Sequence, residues 1–360
     1  MVTQELLDYI REQIKNGLSE ADLRKVLLDN GWDMNDVDTA LGSMTQSQPL
    51  ANPVMQIPTP ISREAAAAEI KRMGKFKASK MLFFQAFNLL KKDKEIVLFP
   101  FISFVLMAIV GTVFSVGLWL LGVIEIQGED AVITNMTLFY KFLFVYYVIS
   151  YFVLTYFRVG LTAVVYERIN GGNIDFKEGM NRASKISGKI FLWSLLAGTV
   201  GIVLRIISDR SKWLGKLATG LLGAAWSIVT MFIAPTLLLD NVSVWQSVKN
   251  SGVVFKKTWG ETLIVNISFS LITFLVFLAT FVLFGALSVF TLMLGLGPIG
   301  LIILGIIFVL TLVTISIIST SLSEIFKVAL YSYARFGIIA EGFSPEFIVG
   351  AVKEDEGNKK

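Results

Sequence analysis

The sequence predicts an all-α protein: a polytopic bundle of six membrane-spanning helices with interfacial amphipathic helices, joined to a small soluble three-helix head. Three observations predict it. Six apolar stretches, each close to or above the roughly 20 residues that carry a helix across a bilayer, fill most of the chain after Ile96. Hydrophobic residues make up 54% of the 360, with 28 Phe and a mean hydropathy of +0.67, more than a soluble domain needs to fill its core. Lysine and arginine gather on alternate loops, as they do when one side of a membrane retains them.

Residues 1–44 form the head. Leu6, Leu7, Ile10 and Ile14 recur at helical spacing until Gly17 stops the first helix. Ser19 caps a second helix that puts Leu23, Val26 and Leu27 on one face before Asn30-Gly31 ends it, and Asp33 caps a third carrying Val37, Ala40 and Leu41. The pattern Leu27, Leu28, Gly31, Trp32, Val37, Ala40, Leu41 resembles the compact ubiquitin-associated-like three-helix modules. That resemblance implies a three-helix fold and peptide or protein binding, without the loop pattern that reads ubiquitin. The alternative for Trp32 is a plug for a core too small to close without it.

Residues 45–62 hold four of the eight prolines and no charge, which makes them a semi-stiff linker. The membrane domain is then 63–360. Charge divides across the linker: the head carries nine acidic and four basic side chains, net −5, which leaves +9 for the rest of a chain that totals +4.

The predicted spans are 96–124, 138–165, 190–207, 217–239, 263–290 and 298–319. Between and beyond them, 22 basic residues lie on the side of the termini against 3 on the other, where Arg210, Lys212 and Lys216 stand alone. Both termini are therefore expected in the cytoplasm. The three exceptions flank the shortest stretch, so a re-entrant hairpin of spans three and four is the alternative there. The amino terminus, polar and acidic, lacks the form of a secretory signal.

An amphipathic segment ending in lysines precedes each pair of spans: Phe83–Glu95, Asp175–Lys189 and Ser243–Lys257. Two begin as capping boxes, Asp175-x-x-Glu178 and Ser243-x-x-Gln246, whose side chains satisfy free backbone amides. Ser344-Pro345 opens a last helix. A parallel threefold repeat accounts for this pattern, and so does the general habit of multi-pass proteins to carry capped, lysine-rich cytosolic ends. Parallel units differ from the inverted repeats of many transporters. The lysines ending these segments, Lys91, Lys92, Lys94, Lys185, Lys189, Lys256 and Lys257, are the candidate contacts to anionic lipid headgroups.

Composition limits the chemistry. No Cys and no His excludes thiolate catalysis, disulfides and the commonest metal ligand. No catalytic, cofactor or metal residues stand out, no nucleic-acid pattern is present, and the inner-face acids show no ligand spacing. Lys141, Arg158, Arg205, Asp240 and Glu324 are the ionisable residues nearest the spans. Arg158 is the most interior, an intramembrane charge that is either a structural, snorkelled arginine or an ion or substrate contact. Small-residue pairs on span four, Gly215/Thr219/Gly223 and Gly220/Ala224, permit close helix approach within the bundle, and Pro235 is expected to kink that span.

The strings LLKKDKEIVLFPF, SVWQSVKNSGVVFKKTWGE and IFKVALYSYARFG followed by EGFSPEF resemble an uncharacterised prokaryotic family of six-span membrane proteins, distantly similar to the membrane domain attached to some glycerophosphodiester phosphodiesterases. The resemblance spans roughly 75–352 and implies a helix bundle in the bacterial cytoplasmic membrane. It transfers no site, and the catalytic barrel of those enzymes has no counterpart here. Two functions follow as expectations. One is a non-enzymatic scaffold whose head recruits a protein partner while its interfacial helices grip lipid. The other is a transporter or lipid-handling protein with a polar cavity within the bundle.

Overall fold

The computed structural model describes Leu27, Asp33, Val37, Arg72, 75–127 and 130–350. The chain divides into two compact units, Met1–Pro60 and Ile61–Lys360. In the first, Leu27 and Val37 are helical and buried, and Val37 N–H donates to Asp33 O at 3.0 Å. The rest of the predicted head, Trp32 included, and the linker lie outside the described residues.

The second unit opens with α1 (Lys75–Lys92), a 3-10 turn at Lys94–Val97 whose cap is Asp93, and α2 (Leu98–Leu120). A β-hairpin follows, β1 (Ile124–Gln127) paired antiparallel with β2 (Asp130–Ile133), then α3 (Met136–Ile169). Next come α4 (Phe176–Lys185), α5 (Ser187–Arg210), α6 (Trp213–Val229) and α7 (Ile233–Leu239). The long α8 (Val244–Met293), α9 (Gly297–Phe336) and short α10 (Pro345–Gly350) complete it. The unit is a helix bundle in which six helical segments are long and apolar enough to cross a membrane: 94–120, 136–169, 187–210, 215–239, 272–293 and 297–336.

Local sequence accounts for several boundaries. Asn135 accepts from Leu138 N–H at 3.0 Å to start α3, Asp175 from Glu178 N–H at 2.8 Å to start α4, and Ser243 from Gln246 N–H at 3.4 Å to start α8. Gly295 and Gly297 take φ of +68° and +62°, the left-handed turn that reverses the chain between α8 and α9. Ser344 is tied to α1 twice, its Oγ accepting from Gln85 Nε2 at 2.6 Å and its N–H donating to Gln85 Oε1 at 3.3 Å, which fixes the start of α10.

Three expectations are corrected. Ser243–Lys257 does not form an interfacial helix of its own; it is the first part of α8, which runs 50 residues without a break. Nothing between Lys257 and the apolar run ends a helix: no proline intervenes, and Thr258 turns its hydroxyl back to Val254 O at 2.9 Å rather than capping. The segment after the first span contains the hairpin Ile124–Ile133, of which only the first strand, IEIQ, alternates apolar and polar residues while the second, DAVI, does not. Span four is broken rather than kinked, with α6 and α7 separated at 230–232, just ahead of Pro235.

That break is healed from α8. Ser251, fully buried, accepts from Phe232 N–H at 3.1 Å and donates to Val229 O at 2.6 Å, pairing two backbone groups the interrupted helix leaves free.

Packing concentrates at the end of the bundle where α1, α4 and α10 lie, hereafter the basic end. Ile96, Phe99, Ile169, Phe232, Ile325 and Phe326 belong to one core there, around the fully buried Tyr331. Away from it the helices separate. Of the apolar window in α3, 61% is buried, against 0% in 272–293 and 6% in α9. Thus α3 is the central post, and the far halves of α8 and α9 form a hairpin packed on each other through Phe281, Phe284 and Phe308. Lipid is as apolar as leucine, so nothing forces these surfaces together.

The close helix contacts also fall elsewhere than predicted. A Cβ on Gly198 of α5 would meet Val148 Cγ2 at 2.8 Å, and one on Gly160 of α3 would meet Phe99 Cε1 at 2.7 Å. Of the span-four pairs, Thr219 is buried and Gly223 lies near Leu204, while Gly220 has open space around it and Ala224 is exposed. Only the first of the two small-residue faces is used within the chain.

Candidate functional site

Sequence spacing alone puts Ser316, Ser319, Thr320, Ser323, Glu324 and Lys327 on one face of α9, since they recur at intervals of three and four. In an otherwise apolar helix this polar stripe needs a partner or water. The fold supplies both. Arg158 on α3 reaches Glu324 (Nε to Oε1, 3.2 Å), and Lys327 Nζ binds the same oxygen at 2.8 Å. On the other side Thr273 of α8 donates to Ser319 Oγ at 3.3 Å. Between α3, α8 and α9 lies a groove of ≈ 520 Å³, lined by the stripe together with Arg158, Thr273, Phe274 and Phe277.

The three charges differ in access. The side chain of Glu324 is 3% exposed, that of Lys327 17% and that of Arg158 38%. Glu324 is therefore consumed by its two cations, and the groove shows its visitors positive charge and hydroxyls. Phe274, 60% exposed, stands at the mouth beside the bare α8–α9 hairpin.

Depth follows from helix rise. At 1.5 Å per residue, Thr273 lies about 30 Å along α8 from Met293, Ser319 about 33 Å along α9 from Gly297, and Arg158 about 33 Å along α3 from Met136. All three helices thus bring their polar groups to one level, one hydrocarbon thickness of about 30 Å from the hairpin end.

Two other polar clusters staple the fold. Asp240, with a fully buried side chain, accepts from Tyr331 Oη at 2.5 Å, Asn250 Nδ2 at 2.5 Å and Arg335 Nε at 3.3 Å, binding the end of α7 to α8 and α9. Asp93 pairs with Arg168 at 2.8 Å, and Glu95 accepts the first N–H of α4, from Phe176, at 2.7 Å. Around them lies a second depression of ≈ 720 Å³ lined by Lys91, Lys92 and Lys94 but equally by Asp93, Glu95 and Glu178. The Asn181 amide, with Lys185 and Arg182 beyond it, holds the Glu178 carboxyl below the usual carboxylate range. Mixed charge of this kind is satisfied internally and presents no single sign to a ligand.

The sequence-predicted lysines separate into groups. Lys91, Lys92, Lys94, Lys185 and Lys256 are exposed, while Lys189 and Lys257 are half-buried and Lys189 donates to Asn241 Oδ1 at 3.1 Å. Lys91 also stands 4.7 Å over the Phe87 ring. Arg158 was singled out by sequence; its partner Glu324 was noted separately, and the α9 hydroxyl stripe and Thr273 were missed. The stripe was visible as a 3.6-period pattern inside span six, whereas Thr273 is joined to it only by the packing of α8 on α9. Arg205 pairs with Asp209 at 2.9 Å and joins no site. Among the described residues no group of three or more acidic, His or Cys side chains could hold a metal ion.

Residues 137–341 match the model of a family of unknown function (DUF6159), which is more than half of the chain. The chain belongs to that family. No curated protein matches it.

Proposed function

We propose that this member of the DUF6159 family is a non-enzymatic, lipid-handling protein of the bacterial cytoplasmic membrane, with both termini in the cytoplasm, and that the groove between α3, α8 and α9 receives the polar part of a membrane amphiphile. The observation that carries this reading is the hydroxyl and cation stripe, one hydrocarbon thickness along the helices from the hairpin end, open beside a hairpin that no other described helix covers. Filling the groove tests the reading. With Thr273→Leu and Ser319→Leu together, the purified protein is expected to retain clearly less co-purified lipid than the unaltered chain, whereas Thr314→Leu, on an exposed stretch of the same helix, leaves lipid retention unchanged. Equal lipid in all three proteins would remove the groove from consideration.

The orientation is supported by the 22 to 3 excess of basic residues. Because the chain has no cysteine, single cysteines at Asp130 or Leu296, both exposed, should react with an impermeant thiol reagent outside intact cells, and one at the exposed Ser184 should not. Labelling of Ser184→Cys from outside would reverse the topology. In this orientation the exposed lysines Lys91, Lys92, Lys94, Lys185 and Lys256 face the anionic inner leaflet, each contributing on the order of 1 kcal/mol of attraction. Residues 1–44, on their proline-rich tether, would then offer a module for a protein partner.

A further inference from the structure

We infer that the groove selects phosphodiester headgroups carrying a net negative charge over zwitterionic ones, with Arg158 and Lys327 reading the phosphate and Glu324 acting as its internal stand-in. The inference rests on the reading of the groove as a lipid site and names its ligand class. Three observations carry it.

The first is the charge count at the site: two cations against one carboxylate, all within direct contact. One anionic charge completes the balance. A phosphodiester with a neutral alcohol supplies that charge and nothing more.

The second is the order of burial. A zwitterionic headgroup brings an ammonium that needs an acceptor, and among the described residues the one carboxylate lining the groove is Glu324, 3% exposed and already held by both cations. An incoming ammonium would instead meet Arg158 and Lys327, whose nitrogens are the accessible charges. Like charges placed together oppose binding, and this is how a site discriminates by repulsion as well as attraction.

The third is geometry. The Arg158 atom nearest to Glu324 is Nε, and the guanidinium edge formed by its two terminal nitrogens carries the parallel N–H pair that a phosphate takes in bidentate fashion. Lys327 lies one turn of α9 beyond Ser323 and two beyond Ser319, so both serines can donate to the same headgroup. With no ligand bound, Glu324 keeps the two cations paired at the low-dielectric boundary. On binding, the phosphate oxygens share them.

The test uses the full chain, purified and placed in mixed micelles doped with either phosphatidylglycerol or phosphatidylethanolamine, with bound lipid measured by native mass spectrometry and by the shift in thermal unfolding. Phosphatidylglycerol should bind at least tenfold tighter. Arg158→Gln should reduce that preference below threefold, Arg158→Lys should keep most of it, and Glu324→Gln should widen it by exposing both cations. Soluble glycerol 3-phosphate should not stabilise the protein, because the acyl chains beside Phe274 are part of the ligand. Equal binding of the two lipids, or full preference in Arg158→Gln, would overturn the selectivity, as would stabilisation by glycerol 3-phosphate equal to that by the lipid. If Arg158→Gln does not fold, Lys327→Gln takes its place, and full preference there is equally fatal. The Thr273→Leu, Ser319→Leu protein separates the two levels: lost binding of both lipids with no preference in the unaltered chain keeps the groove and discards the headgroup inference. Unchanged binding in that protein discards both.

Discussion

Replacing Asp240 by alanine is expected to destabilise the bundle by about 3–6 kcal/mol, the sum of two charge-assisted hydrogen bonds at roughly 1.5–3 kcal/mol each. The carboxylate is fully buried and joins three helices: it accepts from Tyr331 on α9, Asn250 on α8 and Arg335 on α9, at the point where α7 ends. Truncation strands the Tyr331 hydroxyl, whose residue is itself fully buried and packs its ring 6.1 Å from Phe232. Arg335, 46% exposed, can return to water, so the cost falls on the tyrosine and asparagine. The measurement is thermal unfolding in detergent of Asp240→Ala, Tyr331→Phe and the double variant. The two single losses should sum to clearly more than the double loss, because both remove the same bond. Additive losses would mean that Asp240 and Tyr331 act independently and that the carboxylate is held by Arg335 and Asn250 alone.

Ser251→Val should come close behind, at about 2–6 kcal/mol, since it leaves the Phe232 N–H and the Val229 carbonyl without partners at roughly 1–3 kcal/mol each. Valine is nearly the volume of threonine and larger than serine, so Ser251→Thr is the proper control: it keeps the hydroxyl while adding the same branch. The expected order of thermal stability is unaltered protein, then Ser251→Thr, then Ser251→Val. If threonine were no better than valine, crowding rather than hydrogen bonding would set the cost. The fully buried serine would then be only filling space between α7 and α8. In a membrane such a break is tolerated where a neighbouring helix re-satisfies the backbone, and here one serine hydroxyl does so as donor and acceptor at once.

Both residues show where sequence reading stops. Pro235 announces a defect in span four, because a proline removes an N–H and crowds the preceding turn. Nothing local says that residue 251, 16 positions later on another helix, repairs it. Asp240 reads as an ionisable residue at a span end, and its burial depends on α9 returning past α7 some 90 residues on. The same holds for the groove. Arg158 stood out because a charge in an apolar run is costly, and the α9 stripe is legible as helical periodicity, but that Arg158 and Glu324 share one ion pair is a fact of packing.

By itself the sequence determined the number and approximate position of the apolar helices, the charge asymmetry across them and several helix starts, because each is set by residues near the feature in the chain: hydropathy over 20 residues, a side-chain cap three residues from the amide it satisfies, a glycine where φ must be positive. Only the tertiary structure decided that Ser243–Lys257 joins the fifth span as one 50-residue helix, that the core gathers at the basic end around Tyr331, and that the polar faces of α3, α8 and α9 close on a common groove. Those outcomes depend on which helices meet. In lipid that choice is made by a few close contacts, such as Gly198 on Val148 and Gly160 on Phe99, and by buried polar bonds between distant segments, since the hydrophobic effect that sorts faces in water is silent between apolar helices in a bilayer.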